Sequence, residues 1–325
     1  MWMTLLGQMA LCALFLFVPG FLISSLFIRR APLAVACAPG VSLAVYAILS
    51  AILTKAGVSC SWILLAGLAL GLGVASALVQ MGRRRSHGGN PAKARGTARH
   101  FLASDWPILL LYLLVGLVSM GSFFVSGLES PESFIQEYDG VHHLATIRSF
   151  LNSGEWSSLG GSLYADAAFE PPYSTEGFYP SAWHVLVAMV FDAAPVSLAT
   201  TVNAVNVVFS ALVFPAGSFF LLRQVFQGDR AAFVCGAFCT MGFAAFPWKL
   251  LLWGPLFPNL VSFCLMPAVA SLFVLVVDEL GQGWRRALGR GLLFALMLVA
   301  LALSQPSAIF TLMVFLVPFC TVRIA

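Results

Sequence analysis

Charge is what this sequence has least of. Asp, Glu, Lys and Arg make up only 9% of its 325 residues, 60% are hydrophobic, and mean hydropathy is +0.94. Soluble domains carry roughly 25% charged residues, and a chain with so little polar surface cannot stay dissolved. That excludes a soluble enzyme and a disordered segment. Cysteine is missing where a disulfide framework would need it. All seven cysteines lie in or beside apolar segments, and none falls in the acidic stretch from Glu129 to Glu176, which excludes a secreted disulfide scaffold. No basic pair precedes the first apolar run. Arg29 and Arg30 follow it instead, so the run reads as a retained helix and not as a cleavable signal. No internal repeat is visible. What remains is an all-α integral membrane protein.

A helix needs about 20 apolar residues to span the hydrocarbon core. Runs of that kind cover 4–28, 33–53, 62–81 and 106–125, and then 196–222, 231–246, 260–277, 292–303 and 307–321. The expectation is a bundle of about nine transmembrane helices. The run 182–193 (AWHVLVAMVFDA) is apolar but too short to span and holds His184 and Asp192, which suits a re-entrant or interfacial helix. The chain then divides into three parts. Residues 1–125 form four N-terminal transmembrane helices with a basic cytoplasmic loop at 82–104. Residues 126–181 form a large acidic extracytoplasmic loop, and 182–325 hold the short helix and about five further spans.

The net charge of +4 is small, but its distribution sets an orientation. Six of the seventeen basic residues lie between Arg83 and Arg99, and eight of the thirteen acids lie between Glu129 and Glu176. With the N-terminus outside, fourteen bases face the cytoplasm and only Lys55, Arg148 and Lys249 lie outside. The positive-inside rule favours that arrangement over its inverse. It also explains the RRRSHGGNPAKAR patch as a cytoplasmic loop, with no nucleic-acid partner.

The outer loop carries most of the polar chemistry. From Gly140 to Leu151 the apolar residues Val141, Leu144, Ile147, Phe150 and Leu151 recur at helical spacing, as in an amphipathic helix on the membrane surface. Asp139 stands at its expected N-cap, where a carboxylate accepts backbone N–H bonds and meets the positive end of the dipole. His142 and His143 follow at i+3 and i+4, so all three can gather around one turn. His184 lies where the chain re-enters the apolar region. Two chemistries fit this pattern. Asp139, His142 and His143 are candidate ligands for a divalent metal such as zinc or manganese. Alternatively, Asp139 is a general base and the histidines hold a phosphate or a sugar hydroxyl.

The stretch 164–184 is rich in aromatics and proline. Tyr173, Phe178, Tyr179 and Trp183 are candidates to stack on sugar rings or to form an interfacial aromatic belt. Lys249, in PWKLLLWGPLFPN, either snorkels to lipid headgroups or neutralises a lipid phosphate at the bilayer surface.

The segments Tyr138-Asp139-Gly140-Val141-His142-His143-Leu144, Tyr179-Pro180-Ser181-Ala182-Trp183-His184 and Phe257-Pro258-Asn259 resemble GT-C-type polytopic glycosyltransferases. More closely, they resemble an uncharacterised actinobacterial membrane family with that architecture. The resemblance implies transfer of a sugar from a polyprenyl-phosphate donor to an envelope glycan acceptor on the outer face. Asp139 would be the catalytic base. Glu137, His142, His143, Arg148, Tyr179, Trp183, His184 and Lys249 would bind substrate, with His142, His143, Arg148 and Lys249 available to the departing phosphate. The chain departs from the pattern in two respects. Asp139 has no second acid in a tight Asp-x-Asp or Asp-Glu arrangement, although Glu137 lies two residues before it, and members of the family run longer. Two other classes remain as alternatives. One is a non-catalytic membrane scaffold of the same fold. The other is a transporter, which is disfavoured because the spans hold almost no ionisable residues.

Overall fold

The computed structural model describes residues 1–86, 91–159, 178–226 and 229–324, and every regular element in them is helical. In chain order these are α1 (Trp2–Phe27), α2 (Ala31–Lys55), α3 (Trp62–Ser86), α4 (Pro91–Phe123), α5 (Tyr138–Ser153), α6 (Ala182–Ala193) and α7 (Leu198–Val208). A π-helical turn, Phe209–Val213, joins α7 directly to α8 (Phe214–Val225). Then follow α9 (Arg230–Thr240), α10 (Trp248–Leu252), α11 (Phe257–Leu280), α12 (Trp284–Ser304) and α13 (Ser307–Ile324).

Among the described residues, seven helices are long and apolar enough to cross a membrane. They are Trp2–Phe27, Ala31–Lys55, Trp62–Gly82, Asp105–Gly127, Leu198–Val225, Phe257–Leu280 and Ala287–Ser304. The molecule is therefore an all-α multi-pass membrane protein. The expected span 231–246 is an eleven-residue helix that stops at Thr240. Gly242, a weak helix former, and Pro247, which lacks an N–H, follow closely and turn the chain. The apolar part of α13, Ser307–Val322, is also among the shorter helices. At the other extreme, α4 begins at Pro91, inside the expected basic loop.

Packing between the first two helices shows how polar groups stitch an apolar bundle. Pro19 has no N–H to give to Phe15 C=O, and the Tyr46 hydroxyl donates to that carbonyl instead at 2.9 Å. One residue on, Ser42 enters the α1 ladder. Gly20 N–H donates to Ser42 Oγ at 2.8 Å, and Ser42 Oγ donates to Leu16 C=O at 2.7 Å. Two side chains of α2 thus satisfy backbone groups that the hydrocarbon core would leave stranded.

The short helix α6 has the bounds expected from its sequence, but Ala182 through Val190 are all buried. It packs among α1, α2, α3, α5 and α7. A helix enclosed by protein on every side does not lie on a surface, so the interfacial reading of this segment is replaced by an interior one. The segments between the helices are pinned to the bundle at defined points. Asn203 Nδ2 on α7 donates to Pro131 C=O at 3.0 Å and Ser133 C=O at 2.8 Å, and Cys60 N–H donates to Gly154 C=O at 2.8 Å. Asp192 Oδ2 accepts from Trp62 N–H at 2.9 Å, which ties the end of α6 to the start of α3. The chain leaves the bundle end at Ser158 and returns at Tyr179 beside it. Tyr179 N–H donates to Ser158 C=O at 2.9 Å, and the Ser158 and Ser181 hydroxyls pair at 2.8 Å.

Candidate functional site

The first turn of α5 meets the start of α6 and the loop that follows α10. Gly140 is needed at this junction, because a Cβ there would lie 3.0 Å from Ile135 C=O and 3.3 Å from Pro255 Cγ. Three histidines face each other across it. His143 is buried and His184 wholly so, and His143 Nδ1 lies 3.0 Å from His184 Nε2. His143 also hydrogen-bonds the backbone carbonyl of Pro255. With Nδ1 turned towards His184, Nε2 is the nitrogen left to donate to Pro255. The Pro255 bond favours the tautomer in which His184 Nε2–H donates to His143 Nδ1, and His184 Nδ1 is then a buried acceptor without a partner among the described residues.

These rings are held neutral. Burial pushes the His143 pKa down to about 3, with the neighbouring His142 adding to the shift and the Pro255 bond opposing it. His184 lies well below its ordinary value through burial, and then through His143 and His142. Burial also lowers His142, against the opposing charge of Asp139. The Tyr179 phenol is pushed up to about 12 by burial and by the same carboxylate. Asp139 thus acts electrostatically on both His142 and Tyr179, whose rings meet tilted at 59° with centroids 4.9 Å apart.

Sequence reasoning placed Asp139 at the N-cap of α5. The structure corrects this: Glu137 is the cap residue, without a side-chain capping bond, and Asp139 lies within the first helical turn. Its carboxylate is exposed. The favourable dipole interaction remains, but the capping hydrogen bond does not.

The other candidates divide by position. Tyr179 is half-buried beside His142. Trp183 is fully buried, donates from Nε1 to Asn206 Oδ1 at 3.1 Å and packs on Phe257 at 5.3 Å, so its indole backs the histidines and offers no open face to a ring. Arg148 lies nine residues along α5 from Asp139, about 14 Å down the axis. Its guanidinium sits 5.8 Å over the Phe191 ring, so it does not join the cluster. Lys249 is exposed on α10, six residues before Pro255 and just ahead of the turn closed by Leu256 N–H to Leu250 C=O at 3.1 Å. Glu137, the residue that precedes α5, is exposed. Tyr173 lies outside the described residues.

As a metal site the cluster is poor. Both His143 nitrogens are engaged, and among the described residues no group of three or more His, Cys, Asp or Glu side chains could hold an ion. Sequence reasoning also missed Asn206 and the Pro255 carbonyl, which orient Trp183 and His143. A polar residue in the apolar run of α7 was the available signal for Asn206. Nothing in the sequence pointed to a particular backbone carbonyl.

Beyond this cluster, α8, α9, α11 and α13 enclose an apolar cavity of about 700 Å³, lined by Phe214, Leu222, Cys239, Phe246, Phe263 and Phe315 among others. It reaches Phe246, three residues before Lys249.

The neutral pair carries a pH signature. A histidine whose folded pKa lies below its unfolded value of about 6.5 stabilises the fold fully above that value and progressively less below it, because the unfolded chain binds the extra proton. The junction of α5 and α6 should therefore hold at neutral pH and weaken as pH falls below about 6.5 towards 3. Thermal unfolding in detergent should show a steeper loss of Tm for wild type than for His143→Gln between neutral pH and about pH 5.

The fold and the cluster define the class: a multi-pass, all-α membrane protein with a carboxylate, three histidines and a tyrosine gathered where α5 meets the bundle. The chain belongs to DUF6541, a family of unknown function whose model matches residues 13–325. Neither a curated protein nor a solved structure matches it.

Proposed function

We propose that the protein is a GT-C-type glycosyltransferase that moves a sugar from a polyprenyl-phosphate donor to an envelope glycan acceptor. The N-terminus and the 126–181 segment would face outward. The observation that carries the reading is Asp139, an exposed carboxylate on the first turn of α5, beside a neutral histidine and a half-buried phenol. In the proposed step Asp139 takes the proton of an acceptor hydroxyl, and the acceptor oxygen bonds to the anomeric carbon. The bond from that carbon to the phosphate oxygen breaks, and the lipid phosphate leaves with the electron pair. Lys249 would meet that charge, since the three histidines are held neutral and Arg148 sits over Phe191. The neutral histidines suit hydrogen bonding to hydroxyls. The apolar cavity reaching Phe246 suits the lipid chain of the donor.

The test compares envelope glycans and lipid-linked sugars in wild type, a deletion strain and a chromosomal Asp139→Asn allele expressed at wild-type level. Loss of the same glycan in both mutants, with accumulation of a polyprenyl-phosphate sugar, is the expected result. A substitution strain that behaves as wild type, while the deletion does not, would replace this reading with a non-catalytic scaffold.

A further inference from the structure

One helix of the bundle stops half way. Asn206, which meets Trp183 beside the histidines, lies on α7, and the end of α8 at Val225 is about 28 Å further along the same span. From that far end α9 turns back, and its eleven residues rise only about 16 Å against a hydrocarbon core of about 30 Å. Gly236 seats α9 hard against α8 and α4, because a Cβ there would lie 2.6 Å from Leu222 Cδ1 and 2.7 Å from Tyr112 Oη. Beyond Thr240 the helix ends, and the Phe246 ring packs on Phe214 of α8 at 4.7 Å and on Phe263 of α11 at 6.2 Å. The apolar cavity of about 700 Å³ lies along this break. It is a groove, because its lining on α8 runs from Phe214 to Phe226, about 18 Å. It also opens sideways: Cys235, Cys239 and Phe243 line it and are exposed.

We propose that this groove admits the polyprenyl chain of the donor sideways from the bilayer and holds about four of its isoprene units, those nearest the phosphate. The identity of the donor rests on the transferase reading, to which the groove adds a route of entry and a limit on the length of chain that is read. Depth says what kind of molecule reaches it. The groove lies between α8 and α11, both parts of membrane-spanning helices, so what enters comes from the hydrocarbon. Charge says which end of that molecule lies where. Lys249 is exposed three residues beyond Phe246, at the end of the groove nearer the histidines, so a lipid whose phosphate meets Lys249 has the first part of its chain beside Phe246 and Phe214. Length sets the limit. An isoprene unit adds four carbon–carbon bonds of about 1.5 Å, roughly 5 Å of extended chain, so a groove of about 18 Å takes about four units. Because lipid tails are as apolar as the lining, packing in the groove is what distinguishes a bound chain from a free one. Units beyond the fourth stay in the bilayer and add nothing.

The experiment uses the full chain, stripped of native lipid and placed in phosphatidylcholine nanodiscs. Alkylation by N-ethylmaleimide is followed at Cys235 and Cys239 by mass spectrometry, with Cys320, which does not line the groove, as the reference. Geranylgeranyl phosphate, a chain of four units, should slow alkylation of both cysteines and leave Cys320 unchanged. A polyprenyl phosphate of eleven units should half-protect at the same concentration in the bilayer. Geranyl phosphate, with two units, should need about tenfold more, and so should geranylgeranyl phosphate with Lys249→Gln, which loses one charge-assisted hydrogen bond. Equal alkylation with and without geranylgeranyl phosphate overturns the groove. Equal protection by phosphatidylglycerol overturns its assignment to a prenyl chain, and protection that goes on rising from four units to eleven overturns the length limit. A Lys249→Gln response equal to wild type overturns the placing of the phosphate. Transfer is measured on the same preparation. Protection without transfer keeps the groove and removes the transferase reading, and transfer without protection does the reverse.

Discussion

Asp139→Asn is expected to reduce sugar transfer by about 10²–10⁴-fold, the usual contribution of a positioned general base. The substitution is nearly isosteric, and the side chain is exposed on the first turn of α5 with no capping bond to lose. Folding should therefore be little affected, beyond the few tenths of a kcal/mol to about 1 that a carboxylate contributes near a helix N-terminus. The measurement is transfer by purified protein supplied with a lipid-linked donor, alongside the unfolding midpoint of the same preparation. Asp139→Glu keeps the charge and should recover part of the rate. A variant that loses stability but keeps its rate per folded molecule would show Asp139 to be a dipole partner only. The substitution also removes the one carboxylate that raises both His142 and Tyr179, so the pKa of each should fall.

Gly20→Ala should destabilise the bundle by about 1–3 kcal/mol or more, as overpacking of a close backbone contact does. A Cβ on Gly20 would fall inside the van der Waals surface of Ala38 C=O and 2.6 Å from Ser42 Oγ. Neither neighbour can yield cheaply. Ala38 is backbone in a buried stretch of α2, and Ser42 is already fixed by its bonds to Gly20 N–H and Leu16 C=O. Separating α1 from α2 would also lengthen the Tyr46 bond to Phe15 C=O, so one methyl group would strain three hydrogen bonds. Gly7→Ala is the control on the same helix. Nothing lies within 4 Å of its added Cβ, and the change should be neutral or slightly stabilising. Unfolding midpoints of the two variants in one detergent would decide the matter, and equal behaviour would sink the argument.

Most of the fold was legible because membrane insertion leaves a coarse signal. Long apolar runs marked the seven spanning helices, and the bounds of α6 and the amphipathic spacing of α5 were also readable. Helix ends were less so. A charge-poor run does not reveal that Gly242 and Pro247 cut α9 short, or that α4 extends back to Pro91. The site was legible as a list of polar residues in an apolar chain. Which of them meet depends on contacts between distant segments. His143 and His184 are 41 residues apart in sequence and 3.0 Å apart in space, while Arg148, much nearer to Asp139 in sequence, points elsewhere. Local periodicity reports the face of a helix and says nothing of what stands opposite that face.

The pairing of Ser158 with Tyr179 and Ser181 has a consequence for how this protein can diversify. Ser158 on one side and Tyr179 and Ser181 on the other are fastened to each other, so the chain between them closes on two neighbouring fixed points. Doubling the length of such an insert costs only about 0.6 kcal/mol of closure entropy. Lineages can therefore change the length of chain between these two anchors at small entropic cost. Sequence divergence among relatives should concentrate between these anchors, while the serine pair and the helices that hold it stay as they are.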